Sequence, residues 1–140
     1  MVLNYPQHKV ILHCSMLVAG GSARFTVHGD QGSAVKQKAD QQESQLLAGV
    51  MPGSAGWGQD DDSLSIFDAQ SQVQEVGAPQ GDQRQYYINV RDALTGKIEN
   101  PVQPLQALAV MAVLEAAVLS AETGTLQTLA LTADELAALK

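Results

Sequence analysis

Few residues in this chain are of types that carry chemistry: three histidines, one cysteine, a run of aspartates and one glycine-rich loop. His8, His13, His28 and Cys14 are all metal-ligand types, but their spacing is not that of a zinc site. His13 and His28 fall in segments that alternate like strands, where a satisfied or interfacial imidazole is the default. Cys14 sits among apolar neighbours and reads as an inert core thiol. Asp60, Asp61 and Asp62 offer hard oxygens to a divalent cation. The spacing of a calcium loop and its closing glutamate are absent, so a solvated turn is expected. No G-x-S-x-G is present for a serine nucleophile, and no G-x-x-x-x-G-K-[ST] for a phosphate loop.

The segment Gly53-Ser54-Ala55-Gly56-Trp57-Gly58 reads G-x-x-G-x-G, the dinucleotide fingerprint in reverse. Holding a pyrophosphate takes a strand, a tight turn and then a helix whose N-terminus faces the ligand. No strand is expected ahead of this loop, and the aspartates after it would repel phosphate. No cofactor is therefore expected to bind this chain. Trp57 stands alone in the loop. It either closes over a ligand, which makes this a candidate ligand loop, or anchors the loop on the domain. Anchoring is expected, because a buried indole dominates local energetics.

Periodicity gives the elements that must position these groups. Residues 9–18 alternate as a strand, with Val10, Leu12, Cys14, Met16 and Val18 on one face and Ile11, His13, Ser15 and Leu17 on the other. Both faces are largely apolar, so cover on both sides is expected. Gly20-Gly21 ends this stretch. Strands over 23–28 and 33–38 form a hairpin around Gly29-Asp30-Gln31-Gly32. Asp40 can cap a short helix over 41–48, with Gly49 as its stop. Strands over 63–68 and 72–76 make another hairpin. A helix over 82–94 packs Tyr86, Val90 and Leu94 at i, i+4 and i+8.

The helix over 105–121 is apolar nearly all round. It is expected to lie buried on the sheet, with Leu108, Met111 and Leu114 in the core. A last strand over 126–131 and a terminal helix opened by the capping box Thr132-Ala133-Asp134-Glu135 complete the chain. The sum is a single α+β domain over residues 1–140. Its sheet is mixed, mostly antiparallel and open-faced, with helices packed on one face.

Composition excludes several classes of function. The net charge is −7 and the pI about 4.7, which argues against a nucleic-acid binder that works by phosphate neutralisation and against a polybasic membrane-surface protein. A hydrophobic fraction of 45% against 16% charged residues is not that of a disordered chain. A single cysteine excludes an intrachain disulfide and suits a cytoplasmic location. Residues 1–7 do not read as a targeting segment. The most apolar run, residues 107–119, falls short of the roughly 20 residues that span a bilayer.

A resemblance adds what composition does not. The run Arg24-Phe25-Thr26-Val27-His28-Gly29-Asp30-Gln31-Gly32-Ser33 resembles the "rF-x-v-x-G-x-x-G-s" hairpin of the Gfo/Idh/MocA oxidoreductases, relatives of glucose–fructose oxidoreductase and inositol dehydrogenase. Lys36, with Asp40-Gln41-Gln42-Glu43-Ser44-Gln45-Leu46-Leu47-Ala48-Gly49, is similar to the "K-x-x-x-D-x-Q-E-x-x-L-x-x-G" stretch of one bacterial subgroup. Trp57-Gly58 falls where that subgroup carries a similar dipeptide. Tyr86-Tyr87, Ala93-Leu94-Thr95-Gly96, Pro101-Val102, Val113-Leu114-Glu115-Ala116-Ala117 and Ser120-Ala121 resemble the family's closing helices.

The family's Rossmann domain, its E-K-P lysine and its D-x-x-x-H acid/base segment have no counterpart here. The resemblance therefore implies the later part of the C-terminal α/β domain, which serves substrate binding and oligomerisation. The parent would use NAD or NADP on a sugar, polyol or related alcohol or carbonyl, while no catalytic or cofactor-binding residue is carried onto this chain. It also implies a homo-oligomer paired through the open sheet face; the acidic charge balance already argues against nucleic acid and membrane as partners. Ile11, His13, Ser15 and Leu17 are the expected interface. The alternative is a stand-alone, non-catalytic homodimeric interaction module.

Overall fold

In the computed structural model, which describes residues 1–139, the chain begins with two short strands, β1 (Val2–Asn4) and β2 (Lys9–Ile11). They pair antiparallel, Val2 opposite Ile11 and Asn4 opposite Lys9. The α-amino group of Met1 donates to the Leu12 carbonyl at 2.9 Å and extends the ladder by one rung. Sequence alternation overran this strand: it ends at Ile11, and past the Leu12 rung residues 13–18 form no strand. Alternation describes side chains; a strand also needs a neighbour to take its N–H and C=O groups. His13, Ser15 and Leu17 therefore share no strand face with Ile11. Leu17 is 95% exposed, and Cys14 is exposed rather than a core thiol.

Four further strands, β3 (Phe25–His28), β4 (Gly32–Lys36), β5 (Leu64–Asp68) and β6 (Val73–Val76), form one sheet in sequence order. Every pairing in it is antiparallel. The first hairpin closes where the Gly29 N–H donates to the Gly32 carbonyl at 2.8 Å. Register sets the faces, because residues directly opposite in antiparallel strands point the same way. Phe25, Lys36, Leu64 and Val76 form one row, and Val27, Ala34, Ile66 and Gln74 the next. That face is mostly apolar. Phe25, Val27, Ile66 and Val76 on it are exposed. The opposite face carries Thr26, His28, Ser33, Ser65 and Glu75 and is the more polar one.

The helices are α1 (Gln42–Leu47), α2 (Arg84–Leu94), α3 (Pro104–Thr123) and α4 (Ala133–Ala138). Asp40 accepts the Gln42 N–H at 3.0 Å at the start of α1. Pro104 opens α3 behind a Gln103/Gln106 capping box, and Gly124 ends it in the left-handed region. Thr132 and Glu135 cap α4 reciprocally. These bonds hold the Glu135 carboxyl below its usual range. No strand forms over residues 126–131.

Residue contacts divide the chain into two compact units, Ser15–Ile88 and a second made of Met1–Cys14 with the residues from Asn89 onward. The boundary falls within α2. The α+β class and the antiparallel sheet are as the sequence predicts. The burial of the helices is not. Tyr86, Val90 and Leu94 of α2 are exposed, as are Leu108, Met111 and Leu114 of α3. α3 is also longer than the apolar run suggested: it has 20 residues, enough by length and composition alone to cross a membrane.

A fully buried leucine truncated to alanine costs roughly 2–5 kcal/mol, but Leu114 is 48% exposed. Leu114→Ala in this chain is therefore expected to lower unfolding stability by less than about 1 kcal/mol. Urea titration followed by circular dichroism measures it.

Candidate functional site

The best-built part of the molecule is the loop over residues 51–58, and glutamine side chains build it. α1 places Gln42 and Gln45 three residues apart, on one helix face. Gln45 Nε2 donates to the Gly56 carbonyl at 2.9 Å, and its Oε1 accepts the Gly58 N–H at 2.8 Å. Gln80 Nε2 donates to the Trp57 carbonyl at 2.6 Å. Gln42 is 1% exposed. Its Oε1 accepts the Gln83 N–H at 2.7 Å, and its Nε2 donates to Asp40 Oδ2 at 3.0 Å. The Gln42 and Gln45 amides each make the paired donor and acceptor contacts that a buried polar group needs.

Gly58 has φ +69°, and a Cβ there would collide with the Gly81 carbonyl oxygen. The Gly81 N–H donates back to the Gly58 carbonyl at 2.9 Å. Only glycine allows both this backbone conformation and this approach. Trp57 is held between these contacts at 2% exposure. The sequence expectation that it anchors the loop is met.

Trp57, Gln80, Asp82 and Arg84 line a cleft of about 320 Å³. Arg84 donates to Asp82 through two nitrogens, Nε at 2.8 Å and Nη2 at 2.7 Å. The guanidinium holds the Asp82 carboxyl below its usual range. The indole Nε1 is buried and has no hydrogen-bond partner among the described residues. The cleft can hydrogen-bond a ligand, but its charged pair is mutually neutralised and supplies no acid or base near neutral pH.

The aspartate run does not form a solvated turn throughout. Lys36 Nζ lies 2.9 Å from Asp60 Oδ2 and 2.8 Å from Asp62 Oδ2, and all three side chains are largely buried. Asp62 Oδ2 also accepts the Lys38 N–H at 2.8 Å. The Lys36 hydrogen bonds push both carboxyls down and lift the ammonium above its usual value. Asp61 has no part in this cluster. The i, i+2 spacing of Asp60 and Asp62 in an extended segment was the available signal for it.

The other singled-out groups are dispersed. His8 stacks on Tyr5 at 4.4 Å. His28 Nδ1 and Ser33 Oγ are 2.8 Å apart at an exposed hairpin end. A nucleophilic serine also needs a third orienting group and an oxyanion hole, and no carboxylate bonds His28 among the described residues. His13 lies in irregular backbone. The described residues contain no cluster of three or more histidine, cysteine or acidic side chains that could hold a metal ion.

The loop does not fit a dinucleotide. It follows α1 and leads to β5, rather than running from a strand into a helix. Three of its N–H groups are already taken: Ser54 by Met51, Trp57 by Ser54 and Gly58 by Gln45. A pyrophosphate cradle needs those donors free.

Comparison with known proteins bears on what this arrangement belongs to. The family profile described as the oxidoreductase family C-terminal alpha/beta domain matches residues 1–131. The uncharacterized oxidoreductase YdgJ of Escherichia coli is 42% identical over 125 residues, covering 86% of this chain and 36% of that protein. The crystal structure of a Klebsiella pneumoniae protein assigned as an oxidoreductase superposes at a TM-score of 0.92. It is 72% identical, over 99% of this chain and 39% of that one. The scyllo-inositol 2-dehydrogenase (NADP(+)) IolW of Bacillus subtilis is 24% identical over 127 residues, 87% of this chain and 36% of that protein. The chain thus spans well under half the length of the relatives it matches.

Removing the Gln45 amide leaves the Gly58 N–H buried without an acceptor. Gln45→Ala is expected to destabilise the chain by about 1–3 kcal/mol and to red-shift Trp57 emission, both read from a urea titration monitored by fluorescence.

The Lys36 cluster gives a pH dependence. Asp60 and Asp62 titrate below their unfolded value of 3.8. Their stabilising contribution is complete above that value and is lost as pH falls through the depressed folded values. The melting temperature of the wild type is expected to fall more steeply below about pH 4 than that of Lys36→Met. Thermal melts at stepped acid pH test this, and parallel curves would refute it.

Proposed function

We propose, since the chain belongs to the Gfo/Idh/MocA oxidoreductases as a C-terminal α/β domain, that it serves an NAD(P)-dependent enzyme that oxidises or reduces a sugar, polyol or related alcohol or carbonyl. The observation that carries this reading is the family match along residues 1–131. The substrate class and cofactor are supported by the inositol dehydrogenase among its relatives, whose own name gives NADP(+). This chain contributes pocket wall and scaffold. The nucleotide and the hydride-transfer machinery belong to the rest of the parent, because the glycine-rich loop here runs from a helix to a strand and has the Ser54, Trp57 and Gly58 N–H groups engaged.

Self-association through the sheet is part of the same proposal. The β3–β6 face bearing Phe25, Val27, Ile66 and Val76 is apolar and exposed, the kind of surface that marks an interface. It replaces Ile11, His13, Ser15 and Leu17 in that role, since those four share no face. An exposed free thiol at Cys14 suits a reducing compartment, so a cytoplasmic location, away from nucleic acid and membrane, belongs to the reading as well.

By calorimetry, this chain alone is expected to bind NAD(H) and NADP(H) no tighter than about millimolar, roughly −4 kcal/mol, whereas the parent polypeptide binds one of them and reduces it with a polyol. A parent that binds neither nucleotide would overturn the reading. In sedimentation equilibrium the parent is expected to be dimeric, and Val27→Asp to dissociate it with the circular dichroism spectrum unchanged.

A further inference from the structure

Trp57 Nε1 is the one buried side-chain nitrogen or oxygen without a hydrogen-bond partner among the described residues. Such an orphan donor is a cost to the fold unless something supplies an acceptor. The ring lines the cleft of about 320 Å³ between its own loop and the entry to α2. Asp82 and Arg84 are the open part of that lining, with side chains 38% and 50% exposed, while Trp57 is enclosed. A ligand that enters past the charged pair therefore meets the indole last. Gly53 makes the rim passable: a Cβ there would collide with Arg84 Nη1.

We infer that this cleft is a binding site for a small, neutral polyhydroxy compound, one hydroxyl accepting from Trp57 Nε1 and another donating to Asp82. Charge selects a neutral ligand. Arg84 Nη2 and Asp82 Oδ2 pair at 2.7 Å, so an anion would enter against the carboxylate and a cation against the guanidinium, each without a free countercharge. Hydroxyl groups meet the remaining demand, because one group both accepts from an N–H and donates to a carboxylate. Asp82 Oδ2 is bonded by Arg84 Nη2, and a carboxylate oxygen has room for a second donor. The volume is at the small end of ligand pockets, about 300–1,000 Å³, which suits a compound of monosaccharide size and excludes a dinucleotide. The inference does not rest on the oxidoreductase reading: the lining supplies no acid or base and only holds what it binds.

The test follows the Trp57 indole N–H resonance of the parent polypeptide in nitrogen-15 spectra. Its loss in Trp57→Phe identifies it, as does the spectrum of this chain, in which Trp57 is the single tryptophan. myo-Inositol, neutral and hydroxylated on every carbon, is expected to shift it saturably with a dissociation constant of about millimolar. Inorganic phosphate is expected to leave it in place. Asp82→Asn keeps a good helix cap and is expected to weaken inositol binding about tenfold. No saturable shift with inositol, an equal response to phosphate, or full inositol affinity in Asp82→Asn would each overturn the inference. Such a compound has two sources, which polyol oxidation by the parent separates. A KM for inositol raised in Asp82→Asn marks the substrate itself; a KM kept while the Trp57 shift is lost marks a compound held without conversion. An inositol-dependent shift in a parent that oxidises no polyol defeats the functional reading alone. An unmoved resonance in a parent that oxidises one defeats this site alone.

Discussion

The meeting of the Gly58 and Gly81 backbones is the constraint on which the Ser15–Ile88 unit depends. It is possible only because Gly58 has no side chain at the crossing and can take a positive φ. The crossing seats Trp57, and the amides of Gln45 and Gln80 then fix the loop's carbonyls and N–H groups on either side of it. Gln42 ties α1 to the start of α2 through Gln83. A methyl group at position 58 would undo all of this together, because the contacts share one backbone path.

Away from that knot the chain buries little. Trp57 and Ala112 are its only fully buried hydrophobic side chains among the described residues. A self-contained domain of this length would hide roughly two thirds of its surface. Apolar side chains stand exposed on one face of the sheet and, in the other unit, along one side of α3. For such a fold, stability measured alone and stability in an assembly are different quantities, because whatever covers these faces binds the folded state and not the unfolded one.

The hairpins, both long helices and the terminal capping box were legible in the sequence because turn glycines, caps and periodicity act locally. What could not be read was whatever depends on a neighbour. β1 is too short to announce itself and exists because β2 lies beside it. Residues 13–18 alternate as well as any strand and join no strand among the described residues. Leu108, Met111 and Leu114 have core-like spacing, but spacing does not say where the cover comes from. Trp57 was legible as an anchor because a lone indole among glycines has few other roles. Gln42 and Gln45 were missed because an uncharged polar residue on a short helix looks like a solvated face. Their spacing, and the proximity of a loop rich in backbone donors, were the signals available. Asp60 and Asp62 looked solvated because Lys36 is far away in sequence.

The two fastenings of this unit differ in what can loosen them. Carboxylates and an ammonium close the Lys36 cluster, so protons and dissolved ions both act on it. The Trp57 loop is closed by glutamine amides, which carry no net charge and do not ionise. A drop in pH that weakens the Lys36 ion pairs leaves the amide bonds around Trp57 unchanged, and the Lys36 ammonium still has the Asp62 carbonyl at 2.7 Å. Acid thus weakens one fastening of this unit without acting on the other.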